Sequence, residues 1–228
     1  QRSVIERDLH NISSQEAKKH PKLVADAMYD ELSRWVDLKC VERMPRRQAH
    51  NIVDGKWVLK WKDSEDLGRH IEGRLTARGF KDSQQDLDTF SATATRYGGR
   101  MICATAAQLK LTLWALDVSA AFLKGLTYNE VNKLPGNRER SIQIMLTAET
   151  AEVLRRIKGY ETFNHQTEVL NLLKPLWGLK DAPRLFSQRL EQELARLQHW
   201  PTKADSKTYV RHAQGSIVST LSAHVDDI

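Results

Sequence analysis

His224-Val225-Asp226-Asp227-Ile228 closes the chain, directly after the apolar, strand-like stretch that begins at Ile217. Two adjacent carboxylates at a strand end repel each other unless a cation holds them. A divalent metal is the usual partner, and metal held by carboxylates usually serves phosphate chemistry. As a lone pair, Asp226 and Asp227 fit a solvated turn equally well. The fold therefore turns on two further features: a third carboxylate on a matching strand, and a cationic surface for phosphate.

The third carboxylate is Asp117. It follows the near-continuous apolar run Leu111 to Leu116 and precedes Val118-Ser119-Ala120-Ala121-Phe122. The run is expected to be a buried strand. Taken alone, Asp117 reads as a helix cap or turn acid. Set beside a second apolar strand ending in Asp226 and Asp227, it would complete a cluster able to hold two Mg²⁺ ions about 4 Å apart.

The cationic surface comes from a long β-hairpin. Trp57 to Lys62 reads as one strand and Ile71 to Phe80 as the next, around a turn from Asp63 to Gly68. The hairpin carries Lys56, Lys60, Lys62, Arg69, Arg74, Arg78 and Lys81. Arginine suits forked contacts with phosphate oxygens. Any single one of these cations also fits a solvated strand face.

Elsewhere the chain alternates helical and strand patterns. Val24, Met28, Leu32 and Trp35 recur at helical spacing over 23–38, and residues 41–53 read as loop. Arg100 to Leu109 has helical spacing, residues 127–165 show no clear period, and Val169 to Leu173 suits a strand. A helix from Ala182 to Gln198 is expected, with Asp181 as N-cap and Pro183 in its first turn. Phe186, Leu190, Leu194 and Leu197 form its apolar face. Tyr209-Val210 and Ile217 to Val225 are expected to pair around Gln214-Gly215.

The 228 residues suffice for one substantial core; 40% are hydrophobic and 28% charged. The net charge of +6 fits a polyanion-binding protein without requiring one. No apolar run approaches the roughly 20 residues of a membrane span, and the polar start has no signal-peptide pattern. Two cysteines, Cys40 and Cys103, make neither a disulfide framework nor a metal knuckle. These features point to an intracellular protein.

Five blocks together resemble the reverse transcriptase of copia-type retrotransposons. They are Lys56 to Lys60, Gly73 to Phe80, Leu116 to Gly125, Leu173 to Arg184 and His224 to Ile228, in family order and at family-like spacing. The resemblance implies an α+β fold, the fingers and palm of a right-hand polymerase: an antiparallel palm sheet with packed helices. Residues 1–22 read as a poorly ordered lead-in or a solvated helix, and 23–228 as the implied fingers and palm. It implies Asp117, Asp226 and Asp227 as metal-binding catalytic acids, with the Val118 carbonyl near the second metal. It also implies substrate contacts from Arg74 at the triphosphate, Phe122 against the sugar 2′ carbon, and Trp177 and Gly178 beside the incoming nucleotide. The implied cofactor is Mg²⁺, two ions, with Mn²⁺ a possible substitute. The implied partners are an RNA template, a DNA primer or duplex, and dNTPs.

The chain also departs from the family. His224 replaces a usual Tyr, Glu72 stands where Lys is common, and Thr127 to Asn132 and Ser141 to Gln166 match poorly. These changes suggest a divergent or decaying copy. The chain begins with Gln and ends within a motif, so a segment of a longer polypeptide is expected, with the thumb absent and little polymerase activity by itself. The alternatives are a non-catalytic nucleic-acid-binding remnant and, less favoured, a domesticated structural protein.

Overall fold

The computed structural model describes residues 11–64, 66, 68–84, 86–134 and 139–224. In chain order the elements are α1 (Ser14–Ala17), α2 (Pro21–Asp37), β1 (Val41–Pro45), β2 (Ile52–Ser64), β3 (Gly68–Ala77), α3 (Arg96–Leu109), α4 (Tyr128–Asn132), β4 (Gln143–Met145), α5 (Ala148–Leu154), β5 (Glu168–Leu172), α6 (Ala182–Arg196), β6 (Trp200–Pro201), β7 (Thr208–Ala213) and β8 (Ser216–Ser222). They form a mixed α/β molecule with a five-stranded sheet, β1-β5-β4-β2-β3, and a three-stranded sheet, β6-β7-β8.

Helix α2 follows its apolar spacing. Val24, Ala27, Met28, Leu32 and Trp35 are all buried. The helix closes through Lys39, which takes the left-handed conformation at φ 53°. Cys40 N then donates to Trp35 O at 2.8 Å, which satisfies a carbonyl the helix end would leave open. The expected lead-in is described from residue 11. Ile12 N donates to Leu59 O at 2.9 Å, and Trp61 Nε1 donates to Glu16 at 2.8 Å, so this stretch lies along β2.

β2 joins the two halves of the large sheet. Its first residues, Ile52 to Asp54, pair in parallel with β4, while Gly55 to Ser64 pair antiparallel with β3. α2 packs on β3 at Gly73, where an added Cβ would lie 3.2 Å from the Ala27 carbonyl. The core gathers Leu32, Trp35, Val53, Leu75, Ile144, Leu154, Phe163 and Leu170 between the sheet and its helices.

Two stretches differ from expectation here. Residues 41–53, expected as loop, include β1, which pairs antiparallel with β5. β1 is a short edge strand ending in Pro45, so its partner supplies the order that its polar pattern hides. Residues 127–165 contain α4, β4 and α5. α4 begins with a capping box in which Thr127 and Glu130 satisfy each other's backbone N–H groups. Thr147 caps α5 in the same position.

α6 runs from Ala182 to Arg196, with Pro183 in its first turn. Asp181 holds the N-cap position but makes no side-chain capping bond; Arg140 holds its carboxylate instead. Phe186 and Leu194 are buried and Leu190 is partly so, while Leu197 is exposed. Leu194 packs with Tyr209 and Ala223 in a small second core. α3 docks at its N-terminus, where the Thr95 backbone N–H and hydroxyl both donate to Asp205, at 2.9 and 2.8 Å.

The largest correction concerns Leu111 to Leu116, expected as a buried strand. The segment is irregular, and Leu113 and Trp114 are 53% and 81% exposed. An apolar run states a preference for burial but names no partner. Among the described residues, neither sheet takes this run in as a strand.

Candidate functional site

Period-2 alternation sorts the hairpin into two faces. Ile71 and Leu75 turn into the core, together with Leu59 and Trp61 of the opposite strand. Val58, Lys60 and Lys62 share the other face with Glu72, Arg74 and Thr76, in a register that sets Val58 opposite Arg74 and Lys60 opposite Glu72. These six residues, with Trp177 and Gly178, line an open cavity of about 390 Å³.

Two glycines bring Trp177 to that face. Gly178 has φ 88°, and a Cβ on it would run into the Ala77 carbonyl. A Cβ on Gly79 would run into the Gly178 carbonyl. Backbone therefore meets backbone, and Ala77 N donates to Trp177 O at 2.7 Å. The turn is locked against the end of β3, with the Trp177 ring beside Arg74. The Arg74 guanidinium carbon lies 4.6 Å from the ring centroid, a cation–π distance.

Phe122 packs against Trp177 and is not itself among the residues that line the cavity. It sits in a tight turn, Ala121–Lys124, entered through Ala120 in the left-handed conformation at φ 53°. Its ring centroid is 4.4 Å from that of Trp177 and 6.5 Å from that of Phe186. Arg74, Phe122, Trp177 and Gly178, expected as substrate contacts from three separate blocks, thus come together.

The cavity's charges are organised internally. Glu72 lies 3.0 Å from Lys62 and 3.8 Å from Arg74. Partial burial alone would raise its carboxyl. The Lys62 hydrogen bond and the charges of Arg74, Lys62 and Arg34 outweigh that and hold it below the usual range. Other hairpin cations are engaged away from the cavity: Arg78 and Lys81 both pair with Asp54, and Arg69 lies over Trp61. Lys56 is exposed.

A second polar cluster is a buried ionic clamp. Arg140 lies 2.8 Å from Asp82 and donates from Nε to Asp181 at 2.9 Å; all three residues are buried. Asn51 Nδ2 donates to Asp82 at 2.8 Å, and the guanidinium lies over the Tyr128 ring. The clamp joins the start of β2, the turn after β3 and the residue before α6. Sequence reading missed Arg140, because it lies where no period was visible. Asp181 keeps its expected N-cap position, and nothing in the sequence signals that its carboxylate is held by Arg140.

The expected metal site is described only in part. Asp117 is exposed and Val118 partly buried, and Asp117 and His224 each occupy an isolated β-bridge position. Asp226 and Asp227 lie outside the described residues. Among the described residues, no three His, Cys, Asp or Glu side chains are grouped to hold a metal. Of the cysteines, Cys40 is buried and its thiol is pushed up to about 11 by burial, while Cys103 is exposed; both are free thiols. Among the described residues, no helix is long and apolar enough to cross a membrane.

No family model and no solved structure matches the chain. It is 28% identical over 177 residues to the retrovirus-related Pol polyprotein from transposon TNT 1-94 of Nicotiana tabacum, covering 76% of this chain and 12% of that protein. It is 26% identical over 209 residues to the corresponding polyprotein from transposon RE1 of Arabidopsis thaliana, covering 89% of this chain and 13% of that protein. For transposon RE2 of the same plant the identity is 26% over 189 residues, covering 81% and 11%. The chain spans about an eighth of the length of these curated relatives. It is related to a region of retrotransposon Pol polyproteins.

Proposed function

We propose that this Pol-related chain is the fingers and palm segment of an RNA-directed DNA polymerase, adding deoxynucleotides to a primer 3′ end on an RNA template. The observation that carries the reading is the convergence of Arg74 and Trp177 on one open cavity with Lys60 and Lys62, with Phe122 packed against Trp177. The cations would take the triphosphate. Trp177 would hold the Arg74 fork in plane while leaving its outer edge to phosphate oxygens. Phe122, braced on Trp177, would form a wall that a ribose 2′-hydroxyl would strike.

Asp117, the Val118 carbonyl, Asp226 and Asp227 are hard oxygen donors of the kind Mg²⁺ prefers. Bound there, two ions would activate the attacking 3′ oxygen and neutralise the leaving pyrophosphate. Basic surface would hold template and primer through phosphate contacts that weaken with salt.

A second reading, nucleic-acid binding without catalysis, is favoured by one observation. The run before Asp117 is exposed rather than held in a sheet, so that carboxylate has no rigid strand behind it.

Extension of a DNA primer on an RNA template with Mg²⁺ and dNTPs decides between the two. It should be run with this chain and with a longer Pol polypeptide containing it. Under the first reading, Asp117→Asn abolishes extension in the longer polypeptide and leaves duplex binding intact, and Phe122→Ala admits ribonucleotides. Equal extension by wild type and Asp117→Asn would overturn the metal assignment. Salt-sensitive binding with no extension by either polypeptide would select the second reading.

A further inference from the structure

The polyphosphate reading of the cavity leaves Glu72 unexplained, since an acid among phosphate-binding cations opposes the expected ligand. We propose that Glu72 is a built-in counter-anion that must be displaced when a polyphosphate enters, so that it sets the affinity of the site; this rests on that reading of the cavity.

Glu72 spans both cations at once. Its Oε2 lies 3.0 Å from Lys62 Nζ, and its Oε1 lies 3.8 Å from Arg74 Nη2. The strand register places it directly opposite Lys60 and on the cavity face. Its side chain is 26% exposed, against 51% for Lys62 and 44% for Arg74. The carboxylate is thus the inner member of the set, and the two cations reach outward over it. Its oxygens occupy positions that phosphate oxygens would take on the same donors.

A phosphate chain cannot share those donors with a carboxylate at close range without like-charge repulsion. Entry therefore requires the Glu72 carboxylate to swing away, and its ion pairs are given up for new ones. Without a ligand, the same carboxylate keeps Lys62 and Arg74 gathered and limits capture of stray anions. The pairs are hydrated and cheap to break, which suits a contact that opens on binding.

The test is calorimetric titration of wild type and Glu72→Gln with inorganic tripolyphosphate, free of metal and at fixed ionic strength. Glu72→Gln keeps the side-chain shape and removes the charge. The expected result is binding about ten-fold tighter, equivalent to ~1.4 kcal/mol, with the gain lost in Glu72→Gln/Arg74→Gln. Binding by wild type with an equal or weaker affinity in Glu72→Gln would overturn the counter-anion role and leave the cavity reading standing. Absence of binding in both proteins, with melting curves showing both folded, would overturn the cavity reading and this inference with it.

Discussion

The Arg74 guanidinium stands 4.6 Å from the centre of the Trp177 ring, although Arg74 lies on β3 and Trp177 in the turn before α6. Cross-strand pairing does not reach from one to the other. The contact exists because Gly79 and Gly178 let two backbone segments touch where any Cβ would collide.

That stacking makes Arg74→Lys a non-conservative change, since lysine keeps the charge but loses the planar fork. Under the proposed function, the variant is expected to bind deoxynucleoside triphosphates about ten-fold more weakly than wild type. Arg74 is well exposed, so folding should be unaffected. Titration with a nucleotide whose fluorescence reports binding checks this; equal affinity would remove the stacked fork from the site.

Gly178 and Gly159 both have positive φ, yet only Gly178 has atoms within 4 Å of an added Cβ. Gly159→Ala should cost only the backbone penalty, about 1–2 kcal/mol. Gly178→Ala adds a collision with the Ala77 carbonyl and should cost about 1–3 kcal/mol more. Urea midpoints of the two variants, compared with wild type, measure the difference. Equal losses would mean that the two backbones do not press together.

Arg140 holds two buried carboxylates, Asp82 and Asp181. Arg140→Met leaves both without their cation and is expected to destabilise the protein by about 3–5 kcal/mol. Adding Asp82→Asn and Asp181→Asn should recover part of the loss, because the stranded charges are gone. Chemical denaturation of the single and triple variants tests this. A single variant as stable as wild type would show that the clamp contributes nothing.

Glu31 is 1% exposed, and burial raises its carboxyl above the usual 4.5, against the opposing effects of Arg34 and Trp35. A raised carboxyl binds its proton more tightly in the folded state. Stability from this group is therefore full below pH 4.5 and declines as pH rises through the folded value. Relative to Glu31→Gln, wild type should lose stability across that window and then run parallel to it. Parallel curves over the whole range would place no proton linkage at Glu31.

Legibility followed the range of the interactions. The period of Val24 to Trp35 announced α2, and the alternation of Trp57 to Lys62 announced the hairpin, because each is read along one element. The helix at Ala182 was equally plain, but the role of Asp181 was not. A capping acid and a clamped acid look identical until Arg140 arrives from elsewhere in the chain. Thr127 and Glu130 form a capping box at the spacing such boxes take, in a stretch that matches the family poorly. The residues proposed to contact substrate were named through the resemblance of their blocks. Their mutual contacts were not.

Local pattern alone settled that the stretches from Val24 to Trp35 and from Ala182 onward are helical and that the hairpin is rich in cations. These depend on neighbours a few positions apart. Only the folded chain decided that Arg74 stacks on Trp177, that Glu72 sits between Lys62 and Arg74, and that Leu111 to Leu116 stays outside both sheets. Apolar or charged character sets what a side chain tends to bury or pair with. The partner it meets is chosen by sheet register and by how closely separate backbone segments can approach.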